Sequence, residues 1–370
     1  MKILHLIQKP QNRGAEIFTC QLSTHLISSC HEVKIVTLFE GEAILPFDGE
    51  IISLKASSKN RFFDIPAWKK LACIVKDFNP DIIQANAGDT LKYAVFSKKI
   101  FGWKTPLISR NASEVGRYLT SPLQKRLNSL FYKNVDFVIS VSRASKIDIL
   151  NHFPFLHGKT KVIPIGLEAV SAIKEINYKP EKSLHIVHVG GFTFEKNHPG
   201  LLRIFRKILN LNTNIHLHLV GDGPLRRKIE IGEEEKNLDN ITFHGFVNNP
   251  LSYIKSADVL ILPSIIEGLP GVLLEAMYCK TPVVAYNVGG ISEIITEQTG
   301  ILVPAGDEEA FATAIMKILE GNNDEKIEQA YNMVRKSFMN ETIAKKFIEA
   351  YEKVLEDRAP MGSKKAVCKD

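Results

Sequence analysis

Residues 257–294 read ADVLILPSIIEGLPGVLLEAMYCKTPVVAYNVGGISEI, and the order of patterns in this stretch predicts the fold. The apolar run Val259–Leu262 is typical of a buried strand, and Pro263 ends it. A helix is predicted to begin near Gly271, and a second apolar run, Val283–Ala285, predicts another strand closed by two glycines. Strand, loop, helix and strand in this order are the repeating unit of a parallel α/β sheet.

Two carboxylates lie in the loop and first helical turns of this unit. Glu267 comes before the predicted helix and Glu275 lies inside it, eight residues later. Ligands of open α/β sheets bind beyond the carboxyl ends of the strands, which is where this loop lies. At 1.5 Å per helical residue the two residues are at most about 12 Å apart, which suits a nucleotide sugar better than a metal ion.

The same alternation of apolar runs and amphipathic stretches continues along the chain and then starts again after a Lys- and Glu-rich segment. We predict a domain over residues 1–170, a linker over 171–182, a second domain over 183–336, a helix over 337–358 that packs back on the first domain, and a disordered tail over 359–370. The predicted strands of the first domain are Ile3–Ile7, Val33–Leu38, Ile82–Gln84, Leu107–Ser109, Phe137–Val141 and Lys161–Ile163. Those of the second are Leu184–Val189, His216–Val220, Ile241–Phe243, Val259–Leu262, Val283–Tyr286 and Ile301–Val303. Two Rossmann-like α/β domains are the simplest architecture.

The composition narrows the class of protein. A chain of 370 residues with 45% apolar and 24% charged residues is expected to form two domains of a soluble globular protein. No run of eighteen apolar residues occurs, and the apolar start MKILHLI is too short for a signal peptide. Five scattered cysteines without metal-binding spacing favour a reduced, cytoplasmic setting.

The basic residues are concentrated in the first half of the chain. Residues 1–180 hold 25 Lys and Arg against 15 Asp and Glu, while the remainder holds 22 against 26. The N-terminal half is therefore expected to meet an anionic partner. We expect this partner to be a membrane surface or a phosphate-bearing acceptor rather than nucleic acid.

Several motifs together carry a resemblance to a known family. The pair Glu267 and Glu275, with Val189–Phe192 (VGGF) and Glu195–His198 (EKNH) before it, resembles the Glu-x7-Glu glycosyltransferases of family 4, also called glycosyl transferases group 1. This family includes sucrose and glycogen synthases and many bacterial polysaccharide assembly enzymes. The resemblance implies the GT-B fold, in which two Rossmann-like domains face each other across a cleft, and a retaining transfer from a nucleotide sugar.

The resemblance assigns roles on the donor side. It implies that Glu275 accepts hydrogen bonds from the ribose diol and that Glu267 lies by the donor sugar, with Lys196 at the diphosphate. Glu267 and Lys196 are thus the expected catalytic residues. The other expected donor-binding residues are glycines and loop residues around the sugar, the diphosphate and the base: Gly14, Gly190, Phe246, Val247, Gly268 and Leu269.

This chain departs from the family pattern in three places. Gly191 stands where the family carries an arginine that binds the diphosphate, and Arg203 in the following helix is our candidate to compensate. Leu269 and the proline after it replace a common Phe-Gly. On the acceptor side, Asn86, Arg110 and Asn111 stand where histidines are common, and we expect them to contact the acceptor.

No D-x-D triplet occurs, so we expect a metal-independent enzyme without a cofactor. The expected substrates are a nucleotide sugar, with UDP chosen over GDP on family frequency, and a lipid-linked or oligosaccharide acceptor of bacterial glycoconjugate assembly. Two segments that interleave aromatic and basic residues, 59–70 and 117–133, predict a peripheral contact with an anionic membrane, or else ordinary packed helices. Two alternatives stay open: a nucleotide-sugar epimerase or phosphorylase on the same fold, and a non-catalytic nucleotide or glycan binder.

Overall fold

The chain forms two compact α/β units, each built around one parallel sheet. The structure is a computed structural model that describes residues 1–57, 59, 63–179, 183–234 and 239–358. Unit 1 comprises Met1–Gly166 together with the segment from Asn340, and unit 2 comprises Leu167–Met339. The tail predicted over 359–370 lies outside the described residues.

Unit 1 has a sheet of seven parallel strands in the order β3-β2-β1-β4-β5-β6-β7. Its helices cover the sheet on both faces, as parallel sheets require. The elements are β1 (Lys2–Ile7), α1 (Gly14–Ser28), β2 (Glu32–Thr37), β3 (Ile51–Ser53), α2 (Ile65–Phe78), β4 (Ile82–Ala85), α3 (Gly88–Phe101), β5 (Leu107–Asn111), α4 (Pro122–Tyr132), β6 (Phe137–Ser140), α5 (Arg143–His152) and β7 (Thr160–Val162).

Unit 2 has six parallel strands in the order β10-β9-β8-β11-β12-β13. Its elements are β8 (Leu184–Val189), α6 (His198–Leu211), β9 (Ile215–Val220), α7 (Arg226–Glu234), β10 (Ile241–Gly245), α8 (Pro250–Lys255), β11 (Val259–Leu262), α9 (Gly271–Tyr278), β12 (Val283–Tyr286), β13 (Ile301–Val303), α10 (Glu308–Glu320) and α11 (Asp324–Ser337). The last helix, α12 (Asn340–Arg358), packs on α1 of unit 1.

The segment predicted as a linker belongs to unit 2. Tyr178 is 6% exposed and stacks on the ring of His218, with 3.8 Å between ring centroids. Its hydroxyl donates to the backbone oxygen of Tyr253. The prediction of a linker over 171–182 was wrong at Tyr178, because this aromatic ring packs on the sheet of unit 2 and is buried there.

Of the aromatic residues predicted to meet a membrane, Phe63 and Tyr118 are exposed, at 83% and 44%, and the other three that the structure describes are core residues. Trp68 is 3% exposed and packs against Phe96, and both Phe131 and Tyr132 are buried. Residues 60–62 of the first segment lie outside the described residues. The exposed side chains of α4 include Leu123, at 76%, Leu130, at 38%, and the basic Lys125 and Arg126. Within the described ranges, no helix has the length and apolarity needed to cross a bilayer.

Candidate active site

The predicted catalytic residues lie where the strand order of unit 2 reverses. β8 pairs with β9 on one side and with β11 on the other, and such a switch point opens a crevice at the carboxyl ends of the strands. Lys196 follows β8 in a short 3-10 turn, and Glu267 lies in the loop after β11. The topology therefore brings together two residues that are 71 positions apart in the sequence.

The two side chains form a direct ion pair. Lys196 Nζ donates to Glu267 Oε1 at 2.6 Å, and the side chains are only 20% and 10% exposed. A charge-assisted hydrogen bond of this length in a partly buried setting is among the stronger polar contacts of a protein. The prediction placed one residue at the diphosphate and the other by the sugar, and the structure shows that they contact each other.

Backbone contacts hold the two loops side by side. The amide of Ile265 donates to the oxygen of Glu195 at 2.9 Å, and Asn197 Nδ2 donates to the oxygen of Pro263 at 3.0 Å. Asn197 has a left-handed backbone, with φ of 54°, and its Oδ1 accepts from the amide of Gly200 to cap α6. The Lys196 turn is thus fixed at both ends.

The loop that contains Gly289 and Gly290 contacts the backbone of the Glu267 loop. The amide of Gly290 donates to the oxygen of Gly268 at 2.9 Å. Gly289 has φ of 56°, and a Cβ there would lie 1.9 Å from the backbone oxygen of Glu267. Only glycine fits this position without moving the loop, which explains Gly289 in the loop after β12.

Glu275 lies on α9 among buried apolar neighbours. Leu273, Leu274, Ala276 and Met277 are buried, while Glu275 itself keeps partial access to solvent at the edge of the packed helix. Burial raises its pKa to about 7, and the nearby charge of Lys196 acts in the opposite direction. Lys196 therefore acts electrostatically on both carboxylates.

The remaining donor-side predictions lie in loops at the same edge of unit 2. A Cβ at Gly190 would meet Lys196 Cε at 3.4 Å, so the lysine stem packs over this glycine. Gly268 and Leu269 are buried beside Glu267. After β10, Phe246 is 52% exposed and Val247 is half-buried.

Arg203 forms an ion pair with a carboxylate of α10. Its Nε and Nη2 both donate to Glu308 Oε1 on α10, at 2.9 and 2.7 Å, and this pair raises the pKa of Arg203. Its proposed role at the diphosphate thus requires release from Glu308 and stays a prediction. At Gly191, a Cβ would make only ordinary contacts, the nearest at 3.6 Å, so the backbone itself accepts a side chain there.

Two buried histidines next to Lys196 were not predicted. His188 Nδ1 donates to the oxygen of Ile261, while its Nε2 has no partner among the described residues. His198 stacks on Phe192, with 3.9 Å between centroids, and within the same described ranges neither of its ring nitrogens has a partner. Burial lowers the pKa of His188 to about 4 and that of His198 to about 2, so both rings are neutral. The EKNH segment contained His198, but nothing in the sequence indicated its burial.

In unit 1 the predicted acceptor residues lie at the ends of β4 and β5, and all three are 4% exposed. Asn86 Nδ2 donates to the oxygen of Leu6, and Asn111 Nδ2 donates to that of Ser145. Gly14, the first residue of α1, has nothing within 4 Å of a Cβ placed on it.

Arg110 is the unusual member of this group. Its guanidinium lies 4.4 Å from the centroid of the Phe18 ring, and Nη1 donates to the backbone oxygen of Ala15 in the first turn of α1 at 3.5 Å. Burial lowers the pKa of Arg110 to about 10. Glu16, which was not predicted, is 5% exposed in the same turn and accepts from Gln11 Nε2. Burial raises the pKa of Glu16. Its position two residues after Gly14 was the signal in the sequence that could have identified it.

A buried hydrogen-bond network connects α12 to the Asn86 position. Tyr351 of α12 donates to Gln84 Oε1 at 2.7 Å, and Gln84 Nε2 donates to Asn86 Oδ1 at 2.9 Å. His5 Nε2 lies 3.3 Å from the same tyrosine hydroxyl. As for metals, a search of the described ranges finds no group of three or more His, Cys, Asp or Glu side chains that could hold an ion.

Family models match nearly the whole chain. Residues 12–169 match the model described as Glycosyltransferase Family 4, and residues 170–337 match Glycosyl transferases group 1. An uncharacterized glycosyltransferase of Methanocaldococcus jannaschii, MJ1607, is 30% identical over 67% of this chain and 69% of its own length. A Campylobacter jejuni relative, named as the α-1,4-N-acetyl-D-galactosaminyltransferase of GalNAc-α-(1→4)-GalNAc-α-(1→3)-diNAcBac-PP-undecaprenol, is 27% identical over 87% of this chain and 90% of its own.

Solved structures share the fold across the full length. Sucrose-phosphate synthase of Thermosynechococcus elongatus superposes with a TM-score of 0.83 at 22% identity, covering 96% of this chain and 99% of that one. Anabaena HepE in complex with UDP and glucose gives a TM-score of 0.80 at 19% identity, covering 95% and 100%. The predictions of a GT-B fold and of an enzyme are thereby confirmed, and the chain belongs to the family 4, or group 1, glycosyltransferases.

Proposed function

We propose that this protein is a retaining, metal-independent glycosyltransferase that moves a sugar from a UDP-sugar to a lipid-linked or oligosaccharide acceptor in bacterial glycoconjugate assembly. The observation that carries the proposal is the Lys196–Glu267 ion pair at the switch point of unit 2, with Glu275 beside it. These are the groups that a nucleotide sugar requires: a cation for the leaving diphosphate and carboxyl groups for the sugar and the ribose.

The proposed chemistry uses charge rather than a general base. As the diphosphate leaves, negative charge develops on its oxygen, and Lys196 stabilises that charge together with the N-terminus of α6. Glu267 stabilises the positive charge that develops on the sugar ring. In a front-face retaining transfer the leaving phosphate oxygen takes the proton of the acceptor hydroxyl. Neutral, buried His188 and His198 therefore have no proton-transfer role in this proposal.

The choice of substrates rests on relatives. The Campylobacter jejuni relative named above acts on a polyprenyl diphosphate-linked acceptor, CapH of Staphylococcus aureus is a capsular polysaccharide biosynthesis glycosyltransferase, and HepE was solved with UDP-glucose. The basic balance of the first half of the chain suits an acceptor that carries phosphate.

We further propose a cytoplasmic protein that makes peripheral contact with the inner face of the membrane. Support comes from α4, where the apolar Leu123 and Leu130 are exposed on the same helix as Lys125 and Arg126. Co-sedimentation with vesicles tests this contact. Binding to vesicles with anionic lipid, lost in Leu123→Ser, is expected, and equal recovery with neutral and anionic vesicles would contradict it.

The donor site is tested first by thermal shift with UDP, GDP and ADP in the presence of EDTA. A ligand at a hundred times its dissociation constant adds about 2.7 kcal/mol of stability, which is roughly 5–10 °C in a unit of this size. We expect a shift with UDP that Glu275→Ala loses and that the control Glu309→Ala, an exposed residue on α10, retains.

Transfer itself is tested with UDP-sugars and a polyprenyl diphosphate-linked sugar acceptor. Product formation with retention of configuration in EDTA is the expected result. Conversion of the UDP-sugar without an acceptor would favour the epimerase, and the absence of any nucleotide-dependent shift would contradict the proposed donor site.

A further inference from the structure

The lysine expected to bind the diphosphate already has an anionic partner in the protein. Lys196 Nζ lies 2.6 Å from Glu267 Oε1, and the loops that carry the two residues are joined by backbone and side-chain hydrogen bonds. The loops cannot separate without losing those bonds. With the loops fixed, a diphosphate that replaces Glu267 on the ammonium group does so through a side-chain movement that exchanges one anionic partner for another.

The ionisation of a second carboxylate, that of Glu275, depends on the same lysine. Glu275 lies in an apolar environment on α9, and the charge of Lys196 is what favours its ionised form. Burial keeps the nearby His188 and His198 neutral, and it raises the pKa of the Cys279 thiol, which is next to Glu275. The charge of Lys255 also acts on that thiol, and its ammonium group is paired with Glu175. Lys196 is thus the cation that the structure places against both carboxylates.

A diphosphate bound to Lys196 changes this balance. Its negative charges offset the ammonium group and leave Glu267 and Glu275 facing additional anionic oxygens. Two carboxylates that share a site without a cation do not both stay ionised, because like charges at short range favour the protonated form of one of them. Glu275 lies among the buried apolar side chains of α9, and its pKa is already raised to about 7, so it is the group that takes the proton.

We propose that a nucleoside diphosphate displaces Glu267 from Lys196 and that this exchange is coupled to the uptake of a proton by Glu275. The inference rests on the proposed donor site and adds a property to it. A protonated carboxyl group both donates and accepts hydrogen bonds, so Glu275 in this form matches a ribose diol, whose hydroxyls do the same.

The expected size of the coupling follows from the free site. Since the pKa of Glu275 is about 7, roughly a quarter of the molecules carry the proton at pH 7.5, and binding takes up as much as about 0.75 proton. The dissociation constant then rises with pH, by at most about tenfold per pH unit above pH 8.

Isothermal titration calorimetry with UDP, and with GDP and ADP in parallel, tests the coupling at pH 7.5. The observed heat in phosphate and in Tris, which differ in ionisation enthalpy, gives the number of protons taken up. The nucleotide's own last proton leaves near pH 6 and contributes little at this pH. From this linkage we expect about 0.5 to 0.75 proton for the wild type and none for Glu275→Gln.

A second variant tests the exchange of partners without relying on Glu275. Glu267→Gln removes the competing anion, so UDP should bind about five-fold more tightly, the equivalent of a partly exposed ion pair worth about 1 kcal/mol. Lys207→Gln on α6, which loses an ion pair to Glu309 away from the site, is the matched control and should bind like the wild type.

The outcomes separate the inference from the proposed function. If UDP binds with no buffer-dependent heat, or if Glu267→Gln binds UDP more weakly than the wild type, the exchange is wrong while the donor site stands. If none of the nucleotides binds, the donor site itself is wrong. A proton count that persists in Glu275→Gln would overturn the assignment of the proton to Glu275.

Discussion

His198→Phe should make unit 2 more stable, and far more so in acid than at neutral pH. His198 is fully buried at the start of α6, stacks on Phe192 and uses neither ring nitrogen in a hydrogen bond. Phenylalanine keeps the ring and the stacking and loses no hydrogen bond. It also removes a group that must stay neutral in the folded protein but gains a proton when unfolded.

The sign of the pH effect follows from the direction of the pKa change. Burial lowers the folded-state pKa of His198 to about 2, against about 6.5 in the unfolded chain. Below pH 6.5 the unfolded state binds the proton and the folded state does not, so stability falls as the pH falls. The loss is about 1.4 kcal/mol per pH unit, or about 2 kcal/mol at pH 5.

Other histidines of unit 2 with a lowered pKa add to this loss, among them His188 and His218, and one carboxylate opposes it. The pKa values of His188 and His218 are lowered to about 4 and 2. Together with His198 they therefore lower the free energy of unfolding by about 5–6 kcal/mol between pH 7 and pH 5. Glu275, with its pKa raised to about 7, returns about 2 kcal/mol over the same range because protonation suits its buried site. The net loss of about 3 kcal/mol is a large part of typical domain stability.

Urea denaturation between pH 5 and pH 8 measures this effect. Both tryptophans, Trp68 and Trp103, lie in unit 1, so tryptophan fluorescence follows unit 1 while far-UV circular dichroism follows both units. His198→Phe should raise the free energy of unfolding by about 1 kcal/mol at pH 8, from removal of unpaired buried nitrogens, and by about 3 kcal/mol at pH 5.

The stability change at pH 5, compared with that at pH 8, shows whether His198 is neutral in the folded protein. Phe205→Leu, a change at a buried non-titrating residue of the same helix, should shift stability equally at both. If His198→Phe also shifts stability equally at pH 5 and pH 8, then His198 is not held neutral in the folded protein, and the linkage reasoning fails.

Three further changes test the geometry of the two units. Gly289→Ala should destabilise unit 2 by about 3 kcal/mol and abolish transfer, because its Cβ would lie 1.9 Å from the backbone oxygen of Glu267. Gly306→Ala, with φ of 84° but open space around it, should cost only about 1 kcal/mol in the same urea titration, and an equal loss in both would refute the clash. Gly191→Arg should fold normally and raise kcat/KM about tenfold if a cation is missing there, and a fall in kcat/KM would contradict that view. Tyr351→Phe should lower the melting temperature of unit 1, with a loss of about 1–3 kcal/mol from unpaired buried groups, and an unchanged melting temperature would show that the network contributes nothing.

Sequence patterns predicted the parts of the fold that depend on long apolar runs. The predictions Leu184–Val189 and Val259–Leu262 are strands with these same bounds. Val259–Leu262 is continuously apolar, as a strand buried on both faces requires, whereas Leu184–Val189 also holds His185 and His188. The pattern missed β3 (Ile51–Ser53), which has three residues at the edge of the unit 1 sheet. So short an edge strand depends on pairing with β2 rather than on a periodicity of its own.

The burial of individual aromatic and polar residues could not be predicted from the sequence. Trp68 and Tyr178 lie in segments whose charges resemble those of a membrane contact and a linker, yet tertiary packing buries both rings. The pairing of Lys196 with Glu267 likewise depends on which strands are neighbours, and sequence order does not contain that information. The motif predicted the two residues, and the strand order determined their contact.

The buried imidazoles and the ion pair of unit 2 are parts of one electrostatic arrangement. Lys196 lowers the pKa of His188 and His198 in addition to the effect of burial, and it favours the ionised form of Glu275. If either imidazole carried a charge, it would supply a second cation to the carboxylates, and displacement of Lys196 would no longer leave them without one. Neutral rings around a single ammonium group therefore make the charge state of this site depend on what occupies Lys196. The same neutrality costs stability in acid, so the acid sensitivity of unit 2 and the proposed proton uptake have a common physical origin.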